Sequence, residues 1–329
     1  MRVNIKSPEV EIRERRLGSI TGFYGSASEL CNKSKSGKLC DRIHSFSQCL
    51  GCSSGNALCQ LALILDAVVI NHAPLGCSAD FSDFNFINRV ERQARNIPVA
   101  NANLLSTNLN EEDTIYGGRQ KLESTIEEAY YRFKPNAIFI TTSCASGIIG
   151  DDVDTIAQEA ENKFNIPVVY VSCEGFRSKI WTTGFDAAYH AIIRKIVKPP
   201  IKKRKDTINV INFWGTDIFT DLFGRIGLTP NYIVPFSTID QLEKISEAAA
   251  TVQICPTLGT YLAASLEQEY GVPEVKTPPA YGIEGTDAWF RELGSITGKE
   301  KEVEELIKSE KERIYPELER LREKLKGKR

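Results

Sequence analysis

The sequence predicts an α/β protein with two parallel sheets flanked by helices, and three observations carry that prediction. Short β-branched runs alternate with longer helical patterns, a charged breaker splits the runs into two series, and 329 residues are enough for two domains. The runs are AVVIN (67–71), AIFITTS (137–143), VVYVS (168–172), INVINF (208–213) and TVQI (251–254). Stretches such as GGRQKLESTIEEAYYRF (117–133) separate them, and this alternation marks βαβ units. The breaker is KPPIKKRKD (198–206), which reads as an interdomain linker. From residue 300 onward Val303, Leu306, Ile307, Ile314, Leu318, Leu321 and Leu325 recur at helical spacing, with Pro316 as a kink or break. That pattern predicts a charged amphipathic helix docked on the body. Residues 1–45 then form an N-terminal extension, 46–200 and 201–298 two Rossmann-like domains, and 299–329 a C-terminal linking helix.

Composition removes several function classes. Apolar residues make up 42% and charged residues 26%, and no apolar run is long enough to cross a bilayer. The start, MRVNIKSPEVEIRERRLGSI, is polar where a secretory signal needs an apolar stretch, so a cytoplasmic protein is expected. A net charge of -2 with scattered Lys and Arg gives no footprint for nucleic acid.

Nine cysteines stand against three histidines, so any metal or redox chemistry falls to sulfur. An odd number of thiols also argues against a disulfide framework. In open α/β sheets ligands bind at the carboxyl ends of strands, and four cysteines sit there: Cys77 after AVVIN, Cys144 after AIFITTS, Cys173 after VVYVS and Cys255 after TVQI. A thiol near a helix N-terminus is favoured as the thiolate that an iron cluster requires. Burial as a small hydrophobe is the competing reading for any one of them. Cys49-Leu-Gly-Cys52 with Cys59 could instead serve zinc or a redox pair, although a second CxxC is missing. YGGRQKL (116–122) and IIGDDVD (148–154) read as turn and capping chemistry, and neither fits a phosphate-binding fingerprint.

Taken in order, several segments resemble one family, the component 1 proteins of nitrogenase, and within it the alpha-type subunit. HAPLGC (72–77) is similar to the family's His-Gly-Pro-Val-Gly-Cys, and EEDTIYGGRQKL (111–122) to its Glu-x-Asp-Ile-x-Phe-Gly-Gly. SCASGIIGDD (143–152) resembles its Cys-Pro-x-x-Leu-Ile-Gly-Asp-Asp, and CEGFR (173–177) matches outright. The interval from Cys255 to Tyr270-Gly-Val-Pro also equals a family interval.

The resemblance implies that Cys52, Cys77 and Cys144 bind a P-cluster-like iron–sulfur relay cluster at the interface with a beta-type subunit. Cys49 competes with Cys52, and the spacing to Cys77 favours Cys52. It implies that Cys255 holds an end iron of a large cofactor, FeMo-cofactor-like or iron-only, while Cys173 matches a cysteine that is no ligand. Where the molybdenum enzyme has a Gln, a His and an Arg beside its cofactor, this chain has Trp181, Phe185 and Asn85, expected to line the pocket. Loss of three polar groups argues against dinitrogen reduction by the usual route. The family's second cofactor ligand, a His, lies in a third domain that the sequence is expected to lack. The function implied is a nitrogenase-like reductase, a heterotetramer with the beta-type subunit, driven by an ATP-dependent iron–sulfur reductase (Fe protein). The alternative is a cofactor-assembly scaffold of the same fold.

Overall fold

The computed structural model describes residues 2–11, 25–36, 51–178, 180–212, 217–255, 258–278 and 280–328. In chain order its helices are α1 (Ala27–Lys35), α2 (Ser53–Leu61), α3 (Phe81–Ala94), α4 (Asp113–Tyr116), α5 (Arg119–Phe133), α6 (Cys144–Ile149) and α7 (Val153–Phe164). They continue as α8 (Thr183–Lys195), α9 (Thr220–Arg225), α10 (Ile239–Glu243), α11 (Thr260–Tyr270), α12 (Gly282–Thr297) and α13 (Glu300–Leu325). None of them is long and apolar enough to cross a membrane.

The strands β1 (Ala67–His72), β2 (Leu104–Ser106), β3 (Ala137–Thr142) and β4 (Val168–Val171) form a parallel sheet in the order β2-β1-β3-β4. A second parallel sheet runs β6 (Thr229–Ile233), β5 (Arg204–Ile211), β7 (Ala248–Gln253). Each of the five β-branched runs of the sequence supplies most of its described residues to one of these strands. β2 and β6 escaped the sequence pattern for physical reasons: β2 is three residues long, and β6 carries Pro230, which is tolerated because β6 is an edge strand. β5 begins at Arg204, inside the charged segment read as a linker. Its first residues are held at the sheet by the Arg204–Glu247 ion pair, 2.8 Å.

Side chains alternate between the faces of each strand, as the pleat requires. Val68, Ile70, Ile138 and Ile140 pack with Leu122, Ile126 and Ile156 of α5 and α7. Val69 and Phe139 point the other way, into a larger core built on α2 and α8. That core continues into the second half of the chain through Ile211, Ile233, Leu242, Tyr261 and Leu266. Backbone bonds cross the same boundary, from Leu65 N to Ser237 O (3.0 Å) and from Phe236 N to Leu63 O (2.8 Å). The outer face of the second sheet is covered by Phe223, Trp289, Phe290, Leu293 and Val303.

α13 docks through Val303, Leu306 and Ile307, whereas Leu321 and Leu325 remain exposed. The break expected at Pro316 does not occur; the helix runs through it. Proline removes one amide bond, but its neighbours are strong helix formers joined by the ion pairs Arg313–Glu310 and Arg320–Glu317.

What matters for the site is where the strand order reverses. The chain leaves β1 toward β2 on one side and returns to β3 on the other, so a crevice opens at the carboxyl ends of β1 and β3.

Candidate functional site

Three cysteines meet at that crevice, each delivered by a different element. Cys77 sits in a 3-10 turn, Leu75–Ser78, directly after β1. Asn71, near the end of β1, donates its side-chain amide to the Cys77 carbonyl (2.9 Å) and to Ser78 Oγ (3.0 Å), which folds the turn back onto the strand. Cys144 is the first residue of α6, whose start is fixed by a capping box between Ser143 and Ser146. Cys52 is the N-cap of α2 and its side chain makes no capping bond, leaving the sulfur free for other work. Ser54 Oγ donates to the Thr142 carbonyl at 2.8 Å and ties α2 to the end of β3.

The convergence is read from Gly175, in the short helical turn Gly175–Arg177 after β4. A Cβ at Gly175 would lie 3.3 Å from Cys52 Sγ and 3.4 Å from Cys144 Sγ, so both sulfurs flank one point. Cys77 senses both: burial, then the nearby Cys52 and Cys144 thiols, push its pKa above the ordinary thiol value. All three cysteines are solvent-exposed on one surface. Among the described residues no three His, Cys, Asp or Glu side chains are arranged to hold a single metal ion. Cys49 lies outside the described residues, and Cys59 is buried, with its pKa pushed up to about 12 chiefly by burial.

Cys173 sits at the end of β4 but points inward. It is buried, donates to the Thr142 carbonyl at 3.4 Å, and is pushed up to about 12, again chiefly by burial. Next to it Glu174, also buried, accepts from Ser172 Oγ (3.2 Å) and pairs with Arg177 Nε (2.5 Å), and Arg177 reaches Glu9 at 2.9 Å. The CEGFR segment is thus a cross-braced wall beside Cys52 and Cys144. An ordering of thiol reactivity follows. The exposed Cys52 and Cys144 should label readily with iodoacetamide at pH 8, and Cys77, whose pKa is raised, more slowly, because the thiolate is the reacting form. The reagent should spare Cys59 and Cys173 until the chain is denatured. Raising the pH toward 9 should speed Cys77 without exposing the buried pair. Peptide-level mass spectrometry of a time course checks this; early labelling of Cys173 would contradict it.

Sequence reasoning missed a second layer. His72, buried at the end of β1, bonds Thr107 Oγ1 (3.1 Å) and Asp151 Oδ2 (3.0 Å), while Asp151 also accepts from the Gly118 amide at 2.9 Å. The capping reading holds for Asp152, which accepts from Thr155 N at 3.2 Å, and for Gly150, whose φ of 81° closes α6. Asp151 and Gly118 do something else: they join the glycine pair, the aspartate pair and the HAPLGC turn. The available signal was an aspartate beside a cap with no capping task of its own.

Cys255 belongs to the second sheet. It follows β7, is half-buried, and, like Trp181, packs against the large core. Trp181 meets Phe185 edge to face at 5.8 Å, but Phe185 is fully buried and belongs to the core, so it opens onto no cleft. Asn85 accepts from the Ala102 amide at 2.9 Å and lines a depression with Phe86, Arg89, Val90 and Val99. Neither Trp181 nor Phe185 is in the lining of that depression. Tyr189, one turn beyond Phe185, lies within electrostatic reach of Cys255. Fully buried, its hydroxyl accepts from Gln60 Nε2 at 3.2 Å, and burial, Asp186 and Cys255 all push its pKa up.

The chain was compared with known proteins. The family model for nitrogenase component 1 type oxidoreductases matches residues 52–329. The nitrogenase iron-molybdenum cofactor biosynthesis protein NifE of Clostridium pasteurianum is 31% identical over 281 residues, 81% of this chain and 58% of that protein. The nitrogenase molybdenum-iron protein alpha chain of Methanococcus maripaludis is also 31% identical, over 282 residues, 81% of this chain and 58% of that protein. A solved structure titled "Nitrogenase Cp1 at pH 5" superposes with a TM-score of 0.73 at 28% identity, over 84% of this chain and 58% of that one. The chain thus spans about three-fifths of the length of these relatives.

Proposed function

The chain belongs to the nitrogenase component 1 type oxidoreductase family, and from that premise we propose that it is the alpha-type part of a nitrogenase-like reductase. Cys52, Cys77 and Cys144 are its share of the ligands to a relay iron–sulfur cluster, and Cys255 is its ligand to a larger iron–sulfur cofactor. The observation that carries this reading is the meeting of three exposed thiols at the switch point of the first sheet. When bound, such clusters store and pass single electrons at low potential. The protein's part is to present thiolates, to wall one side with the braced CEGFR segment, and to exclude water with a partner. Large apolar side chains ring the thiols: Leu75 beside Cys77 is 63% exposed, Ile148 in the same helix as Cys144 is 78% exposed, and Phe176 next to Gly175 is 57% exposed. An apolar rim around exposed ligands fits coverage by a beta-type subunit that supplies the remaining thiolates. Electrons would then come from an ATP-hydrolysing iron–sulfur protein.

A second reading, a scaffold that holds a growing cofactor without turnover, is favoured by the likeness, at 31% identity, to the cofactor biosynthesis protein NifE of Clostridium pasteurianum. The two are separated by purifying the complete complex with its beta-type partner and assaying ATP-dependent hydrogen evolution, since protons are always available to a low-potential cofactor. Iron-loaded complex that evolves hydrogen supports the reductase. Iron-loaded complex that is inert, yet restores activity to a cofactor-deficient nitrogenase component, supports the scaffold and sinks the first reading.

A further inference from the structure

We propose that Thr107, His72 and Asp151 act as one positioning unit that sets the place of Cys77 against Cys52 and Cys144. This deepens the cluster reading and rests on it for its purpose, though not for its geometry.

One buried ring, that of His72, organises the hydrogen bonds of the unit. Ala73 N–H can only donate, and it points at Thr107 Oγ1, 3.1 Å away. The Thr107 hydroxyl proton is then free to go to His72 Nδ1 at 3.1 Å, so the imidazole carries its proton on Nε2 and gives it to Asp151 at 3.0 Å. Asp151 completes its shell with the Gly118 amide, 2.9 Å to Oδ1 and 3.0 Å to Oδ2. In this single assignment each donor and acceptor of the chain is satisfied with a neutral ring. Burial agrees, since it draws the His72 pKa below its ordinary value against the opposing pull of Asp151 and, further off, Asp113, itself paired with Lys121.

The order Thr, His, Asp matches the connectivity of a hydrolytic triad, but the chemistry does not. Thr107 is buried and its oxygen already accepts from Ala73, so no nucleophile is presented. What the unit grips is the root of the cysteine turn. His72 is held by its ring and Ala73 by both its backbone groups, through Thr107 Oγ1 and the Leu109 amide at 3.0 Å. Four residues later comes Cys77, whose carbonyl is held by Asn71. The cradle is closed on the far side by Gly118, where an added Cβ would fall 2.6 Å from Leu109, 2.8 Å from His72 and 2.9 Å from Asp151. Elements separated widely in sequence, after β1, after β2 and after α6, are locked at the base of a turn that otherwise ends in open solvent.

The test uses the reduced chain and needs no cluster, so it is independent of iron binding. Asp151→Asn keeps shape but puts a donor against either His72 or Gly118. Thr107→Val keeps shape and removes the hydroxyl, and Thr107→Ser keeps the hydroxyl. Iodoacetamide labelling followed cysteine by cysteine should show D151N and T107V accelerating Cys77 by about fivefold, the factor by which loss of one buried hydrogen bond, about 1 kcal/mol, raises the population of turn conformers that carry Cys77 away from Cys52 and Cys144. Cys52 and Cys144 should keep their rates, and T107S should label like the unmodified chain. An unchanged Cys77 rate in folded D151N and T107V overturns the proposal, as does equal acceleration of all three thiols. Failure of D151N and T107V to fold while T107S folds would assign the unit to global stability and overturn it as well. Loss of iron binding with the labelling pattern intact would instead strike the cluster reading alone.

Discussion

Cys77→Ala, introduced into the complete complex with the beta-type subunit, is expected to abolish the relay cluster while leaving iron at Cys255 in place. Each of the three thiols contributes a metal–sulfur bond, and altering even the groups behind a ligand typically weakens metal binding by about 10–100-fold. Loss of the ligand itself should exceed that. Cys255→Ala should do the reverse, removing the larger cofactor and sparing the relay cluster. The two sites share no ligand and sit on different sheets: Cys255 follows β7, and the trio gathers at the ends of β1 and β3. Iron content and the low-temperature electron paramagnetic resonance of each variant, reduced and oxidised, decide it. Full iron and an unaltered signal in C77A would remove Cys77 from the ligand set, and loss of both iron species in C255A would merge two sites that the geometry separates.

How much of this could be read from sequence depends on the range of the interaction involved. Strands with a continuous β-branched run were legible, because the run itself reports burial on both faces. β2 and β6 were not, because a short strand and a proline-bearing edge strand are stabilised by what they pair with rather than by what they contain. Position at a strand end singled out Cys77, Cys144, Cys173 and Cys255 alike, yet the side chain of Cys173 turns inward to Thr142. Strand-end position says where a residue sits and nothing about the direction it faces. Phe185 fails the same way: its nearness in sequence to Trp181 suggests a shared lining, and only the packing of α8 under α2 shows that Phe185 faces the core. The His72–Asp151 bond spans 79 residues, so no local pattern announces it. The capping rule accounted for one aspartate of the pair and hid the task of the other.

That contact between α2 and α8 carries the largest expected effect on stability, through Gly184. A Cβ there would stand 2.1 Å from the Ser53 carbonyl oxygen, 2.9 Å from Ala57 N and 3.0 Å from Asn56 Cβ. Two of the three neighbours are backbone atoms of a helix, which cannot rotate aside as a side chain can. α8 cannot retreat either, because from Thr183 to Ile193 its side chains are buried. Gly184→Ala should therefore force the helices apart and destabilise the fold by more than about 3 kcal/mol, beyond the usual range for overpacking. In a domain of this size that is a fall in melting temperature of roughly 6–12 °C. Gly55, in α2 itself, is the control: a Cβ there meets nothing within 4 Å, so Gly55→Ala should stabilise by about 0.5–1 kcal/mol through helix propensity alone. The functional consequence follows from position. Ser53 is the residue after Cys52, and Ser54 is the tie to Thr142, so a displaced α2 carries Cys52 away from Cys144 before the rest of the site is disturbed. Thermal unfolding by circular dichroism, paired with the labelling rate of Cys52 relative to Cys144, measures both effects. A G184A chain that melts within about 2 °C of the unmodified one would show that α2 and α8 do not make the close crossing on which the placement of Cys52 depends.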